Sequence, residues 1–138
     1  MSELLIVDAN PLMSALLGGR ADQIIATGLL ELYSTQFTLF EVAKYLPDLA
    51  EKLQCSEQEM FAAYEALPVV ACQPFEYGAQ VTRAADLIGE RDERDVPLLA
   101  LALARGYPIW SDDRDFEGIA EIRLFKTAGL VAQLFPST

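Results

Sequence analysis

Four apolar residues in a row, Leu4-Leu5-Ile6-Val7, end on the carboxylate of Asp8. A strand with one wet face alternates apolar and polar residues, whereas a continuous run needs apolar cover on both sides. Residues 3–8 therefore read as a fully buried first strand, the kind found in parallel sheets covered by helices. The rest of the chain supplies such helices in alternation. Pro11 sits near the start of a helix through Leu12–Leu17 that Gly18-Gly19 stops, and a short helix over Ala21–Thr27 precedes a second strand near Glu31–Ser34. Thr38 opens a helix toward Leu53 that Pro47 should kink or break. Ser56-Glu57-Gln58-Glu59 is a capping box for a helix through Leu67, ended by Pro68, and Val69-Val70-Ala71 forms a short strand. An amphipathic helix is expected from Phe75 to about Glu90, then a charged turn at 91–94 and a helix from Asp95 to Arg105 that Gly106 caps. A strand at Ile109-Trp110-Ser111, a short helix near Phe116–Ala120 and a last strand at Arg123–Lys126 complete the order. Strands alternating with helices predict an α/β fold, a parallel sheet with helices on both faces, in a single domain over residues 1–138.

Composition removes whole classes of function. Hydrophobic residues make up 52% of the chain, too many for disorder, yet no apolar run is long enough to span a membrane. Met1-Ser2-Glu3 carries no basic region, and Asp8 and Asn10 interrupt the apolar segment, so no signal peptide is expected. Cys55 and Cys72 have no zinc-ligand spacing, and a reduced, cytoplasmic protein is favoured over a disulfide-bonded one. There is no histidine. That excludes Ser-His-Asp and Cys-His catalysis and a conventional zinc site, and leaves acid–base or metal chemistry chiefly to carboxylates. The net charge of −11 makes the chain a poor non-specific binder of nucleic acid. Any phosphate-directed site would need a metal to mask its acids and a basic rim, for which Arg91, Arg94, Arg105 and Arg114 are candidates.

Five acids fall where elements end or begin: Asp8, Glu41, Asp95, Asp113 and Asp115. In an open α/β sheet such ends converge on one edge, where ligands bind. Carboxylates meeting there repel one another unless a hard divalent cation lies among them, which points to Mg²⁺ or Mn²⁺. Each has a structural alternative. Asp8 could be a plain N-cap, with Asn10 beside it capping or orienting. Thr38-x-x-Glu41 fits a capping box. Asp95 opens the almost wholly apolar helix Val96–Leu103, with Asp92 as a competing cap. Asp112, Asp113 and Asp115 crowd one strand-to-helix turn, where like charges cost stability unless solvated or metal-bound.

The string Asp92-x-x-Asp95-Val96-Pro97-Leu98-Leu99-Ala100-Leu101-Ala102, followed by Gly106-Tyr107-Pro108-Ile109-Trp110-Ser111-Asp112-Asp113-Arg114-Asp115-Phe116, resembles the C-terminal half of PIN-domain proteins. Val7-Asp8-Ala9-Asn10 looks like their first motif and Phe40-Glu41-Val42 like their second, so the resemblance runs from about residue 4 to residue 126. It implies a three-layer α/β/α sandwich with a mostly parallel central sheet. It also implies a metal-dependent ribonuclease of the VapC-like kind found in prokaryotic toxin–antitoxin pairs. By position, Asp8, Glu41 and Asp95 match the three most regular acids of that family. The fourth matches Asp113 or Asp115, and Ser111 matches a small hydroxyl residue often beside it.

The resulting expectation is hydrolysis of RNA by one or two Mg²⁺ or Mn²⁺ ions held by Asp8, Asp95 and Asp113 or Asp115, with Glu41 direct or through water. Asn10, Asp92 and Ser111 would support them. Expected partners are an RNA substrate, an antitoxin and a second copy of the chain, the last two through apolar faces of Leu12–Leu17 and Leu39–Leu53 that could equally be core. The rivals are a PIN-like interaction module without activity, a phosphoacceptor receiver domain with Lys126 near its last strand, and a dehalogenase-type phosphatase. The phosphatase needs an Asp where this chain has Asn10. The receiver needs an Asp ending its middle strand, and Val69-Val70-Ala71-Cys72 offers none.

Overall fold

The computed structural model describes residues 3–136, so Met1 and Ser2 of the stretch read for a leader, and the last two residues of the expected domain, lie outside it. Among the described residues five strands form one sheet: β1 (Glu3–Val7), β2 (Leu30–Thr35), β3 (Val69–Cys72), β4 (Ile109–Trp110) and β5 (Leu124–Phe125). Their order is β3-β2-β1-β4-β5 and every pairing is parallel. The continuous run at the N-terminus is the middle strand. Leu5 pairs with Leu32 of β2 on one side, and Ile6 and Val7 pair with Ile109 and Trp110 of β4 on the other. Leu5, Ile6 and Val7 are fully buried.

The period-2 geometry of a strand divides those three side chains between two cores. Leu5 and Val7 join Leu12, Ile24, Leu32, Leu49 and Trp110 on one side of the sheet. Ile6 joins Leu98, Leu101, Ile109 and Phe116 on the other. The first face is covered by α1 (Ala9–Leu16), α2 (Arg20–Ala26), α4 (Leu46–Leu53), α5 (Glu57–Glu65) and α8 (Thr127–Leu134). The second is covered by α6 (Val81–Ile88) and α7 (Val96–Arg105), whereas α3 (Gln36–Lys44), which follows β2, adds Val42 to the first core. The three-layer α/β/α sandwich is therefore present. The receiver expectation, which took Val69–Cys72 for the middle strand, misplaced it: that strand is β3, at the sheet edge. The order here also differs from the 2-1-3-4-5 of that fold.

Several elements depart from expectation for local reasons. Thr35, not Thr38, caps α3, its hydroxyl accepting the Thr38 N–H at 2.9 Å. The chain breaks at Tyr45, and Pro47 sits in the first turn of α4, where its missing N–H costs no hydrogen bond. The helix expected from Phe75 begins only at Val81. Tight turns at Pro74–Glu76 and Gly78–Gln80 precede it, separated by Tyr77 at φ −132°, whose ring enters the core. The helix expected near Phe116–Ala120 is a single turn at Arg114–Phe116, followed by Gly118 in the left-handed region at φ +80°. Helix α8 was not foreseen.

Candidate active site

The C-terminal ends of β1, the middle strand, and of its neighbour β4 deliver the first acids. Asp8 follows β1 and caps α1, its Oδ1 accepting the Ala9 N–H at 2.7 Å. Its Oδ2 accepts the Ser111 hydroxyl at 2.6 Å, from the residue just after β4. The same Ser111 oxygen accepts the Asp113 N–H at 3.0 Å, and Asp113 Oδ1 accepts the Asp115 N–H at 2.9 Å. One hydroxyl thus fixes the Asp8 carboxylate and starts the turn that carries Asp113. Burial raises the Asp8 carboxyl above its usual range; the bonds from Ser111 and Ala9 oppose the rise, and Asp113 and Asp112 add to it.

Asp95 arrives from the helical side of the cluster. It stands at the N-cap position of α7 yet makes no capping hydrogen bond. The cap of the preceding turn is Asp92, which accepts the Arg94 N–H at 2.9 Å. Asp95 Oδ2 is buried without any hydrogen-bond partner among the described residues. A buried acceptor left unpaired is costly, more so when charged. Burial first, then the neighbouring carboxyl of Asp115 and the charges of Asp8 and Asp113, push the Asp95 carboxyl up to about 8.

Carboxylate oxygens of Asp8, Asp95 and Asp113 lie within 4.8 Å of one another, as do those of Asp92, Asp95 and Asp115, so Asp95 belongs to both groups. The first group opens into a cavity of about 190 Å³ that Asn10, Glu41 and Asp92 also line. Glu41 is outside both close groups and pairs instead with Lys44 at 3.0 Å. All these donors are hard oxygens, suited to a hard divalent cation rather than to softer ions. A cation beside Asp95 Oδ2 would supply the partner that the fold withholds.

Residues 6–128 match the sequence profile of the PIN domain. The chain belongs to the PIN-domain family. Solved PIN-type structures share its fold. VapBC2 from Rickettsia felis, bound to a DNA fragment from its promoter, superposes with a TM-score of 0.65 at 13% identity, covering 89% of this chain and 98% of that one. A toxin–antitoxin complex from Klebsiella pneumoniae gives 0.66 at 18% identity, with 89% and 97% covered. DNA-bound VapBC from Salmonella typhimurium gives 0.64 at 14%, with 92% and 99% covered. Among curated proteins, none matches the sequence.

The PIN fold brings the acids singled out in the sequence to one sheet edge, in unequal positions. Asp113 faces the cavity with Asp8 and Asp95, whereas Asp115 groups with Asp92 and Asp95 and does not line the cavity. Asp112, counted with the crowded acids, turns away: its carboxylate accepts the Thr127 N–H at 2.8 Å and the Thr127 hydroxyl at 2.6 Å, anchoring α8. Glu41 is no capping-box partner, because Thr35 holds that role; its carboxylate is left to the cavity. The basic rim is thinner than expected. Arg94 lines the cavity, while Arg91 donates to the backbone carbonyls of Asp115 and Glu117 and Arg105 pairs with Glu76. Phe37 and Tyr45 also line the cavity and were missed, although each stands four residues from Glu41, the spacing that puts side chains on one helix face. Among the described residues no helix is long and apolar enough to cross a membrane.

Proposed function

We propose that this PIN-domain protein is a metal-dependent endoribonuclease and the toxin of a toxin–antitoxin pair. The observation that carries the reading is the buried, unpartnered Oδ2 of Asp95 within a cluster of carboxylates at the C-terminal edge of a parallel sheet. Asp8, Asp95 and Asp113 would hold one Mg²⁺ or Mn²⁺ ion; Asp92 and Asp115, which share Asp95 with that group, are the residues for a second. Such an ion, when bound, lowers the pKa of a coordinated water and neutralises charge on a phosphodiester. The residues themselves do the positioning. Ser111 holds Asp8 in one orientation, and the turn it nucleates holds Asp113. Asp95, whose carboxyl is raised in the metal-free fold, would have to release its proton to serve as a ligand. Glu41, which also lines the cavity, would reach the ion directly or through a water.

The structural neighbours support an antitoxin as partner, since they are themselves toxin–antitoxin complexes. Free Cys55 and Cys72 fit a reducing, cytoplasmic setting. The test is incubation of purified protein with structured and single-stranded RNA in Mn²⁺, Mg²⁺ or EDTA, beside Asp95→Asn. Cleavage that needs the ion and vanishes in the variant is the expected result. A folded protein that neither cleaves RNA nor binds Mn²⁺ would leave an interaction module in its place.

A further inference from the structure

Two aromatic rings flank the acidic cavity and both stand open to solvent. Phe37 and Tyr45 line it together with Glu41 and Asp95, with 37% and 43% of their surface exposed. They lie one helical turn before and one after Glu41, so an aromatic, an acid and an aromatic follow one another along the α3 face and its C-terminal cap. Tyr45 and Met13 also line an adjoining, mainly apolar groove of about 690 Å³ that passes Leu17 and Leu49. The acid cavity therefore continues past the tyrosine into a groove with an apolar floor at Met13, Leu17 and Leu49 and charged residues at Asp48, Glu51 and Lys52.

Cations are few along the same path: in the groove Lys52 stands beside the acids Asp48 and Glu51. Among the described residues lining the cavity, Arg94 is the one cation, and Asp92 holds its guanidinium at 3.2 Å through Nε and 3.0 Å through Nη2. Lys44 is held by Glu41 at 3.0 Å. The chain as a whole carries −11. Nucleic acid gripped by its phosphates needs several cations to displace its counterions. Stacking of bases on aromatic faces is the other general source of affinity; it is indifferent to net charge and open only to unpaired bases.

We infer that Phe37 and Tyr45 form a base-stacking platform that seats unpaired nucleotides flanking the phosphodiester offered to the acids, which selects single-stranded or looped RNA over duplex. The inference rests on the nuclease reading above. The rings position substrate and take no part in breaking the bond.

The test uses an unstructured oligoribonucleotide carrying 2-aminopurine, alone and annealed to its complement, with the wild type and four variants: Phe37→Leu, Tyr45→Leu, Tyr45→Phe and Phe37→Leu/Tyr45→Leu. Wild type should quench the 2-aminopurine of the single strand and cleave it, leaving the duplex intact. Each single leucine variant should raise KM about 5- to 150-fold, the range for losing one stacked base, and the double variant more than either, with kcat, Mn²⁺ affinity and thermal midpoint held. Tyr45→Phe, which keeps the ring, should behave as wild type. The salt dependence of binding should be shallow, with a log–log slope no steeper than about −2, because few phosphates are neutralised. Metal-dependent cleavage with leucine variants at wild-type KM would overturn the platform and leave the nuclease standing. Equal cleavage of the duplex would do the same. Absence of any cleavage or RNA binding by the wild type would overturn both.

Discussion

Asp95 concentrates the chemistry of this molecule in one side chain. Its folded-state pKa of about 8 lies above the ordinary value of 3.8. Between those values the metal-free fold keeps a proton that the unfolded chain has released. Its contribution to stability is therefore fully present below about pH 4 and is lost as pH rises through about 8. Urea titrations in EDTA at several pH values between about 5 and 8 should show stability falling with pH in the wild type and a much flatter profile in Asp95→Asn. An equally steep profile in the variant would locate the proton elsewhere, Asp8 being the next candidate, since burial raises it too. Ser111 permits a second prediction. It donates to Asp8 and accepts from the Asp113 backbone, so Ser111→Ala should lower Mn²⁺ affinity or activity by about 10–100-fold while Ser111→Thr retains most of it. Isothermal titration with Mn²⁺ and RNA cleavage rates read the two effects. At this scale the sequence was legible for Asp8 and Asp95 because each ends or begins a strongly patterned apolar segment. It could not separate Asp112, Asp113 and Asp115. Which way each points depends on a serine hydroxyl and on Thr127, partners that sequence spacing does not reveal.

Helix α3 shows how a cap at one residue frees another. The sequence offers two hydroxyls three residues apart, and Thr38-x-x-Glu41 has the right letters for a capping box. Thr35 takes the role because β2 runs on to that residue, leaving its backbone extended at φ −83° and ψ 151°, the conformation an N-cap needs. Thr38 is then inside the helix and Glu41 is released to the cavity. Thr35→Ala should cost about 1–2 kcal/mol. Glu41→Gln should cost well under 1 kcal/mol, because its pair with exposed Lys44 is a surface ion pair, yet it should reduce RNA cleavage. Denaturant midpoints and cleavage rates on both variants check this; a large stability loss at Glu41 would restore the structural role. The capping box at Ser56-Glu57-Gln58-Glu59, by contrast, forms as its letters suggest, with no nearer hydroxyl in competition. Where expectation failed over 75–80 and 117–120, apolar spacing was read as a helix although a buried aromatic and a left-handed glycine interrupt the backbone.

The whole molecule combines a sheet held by apolar cores on both faces with a surface charged far from neutrality. Topology was legible because the continuous apolar strands and the helices between them permit little besides a parallel sheet. Strand order was not, since it depends on which strands meet across the cores, and β1 takes the middle by burying alternate residues in both. This architecture gathers carboxylates at one edge of a chain of net charge −11, so the metal-free fold carries both a local and a global repulsion. The two respond differently to ions. A monovalent salt screens the global part, acting over about 10 Å at 0.1 M, and should raise the melting temperature of wild type and Asp95→Asn alike. Mn²⁺ bound by the fold but not by the unfolded chain should stabilise wild type by about 2.7 kcal/mol at a hundredfold excess over its Kd. That increment should shrink sharply in Asp95→Asn, which keeps the shape of the side chain but loses its charge. Calorimetric scans of both proteins in EDTA, in added NaCl and in Mn²⁺ at matched ionic strength separate the terms. A Mn²⁺ increment of equal size in both proteins would mean that the ion acts through general screening and that the acids do not form a binding site.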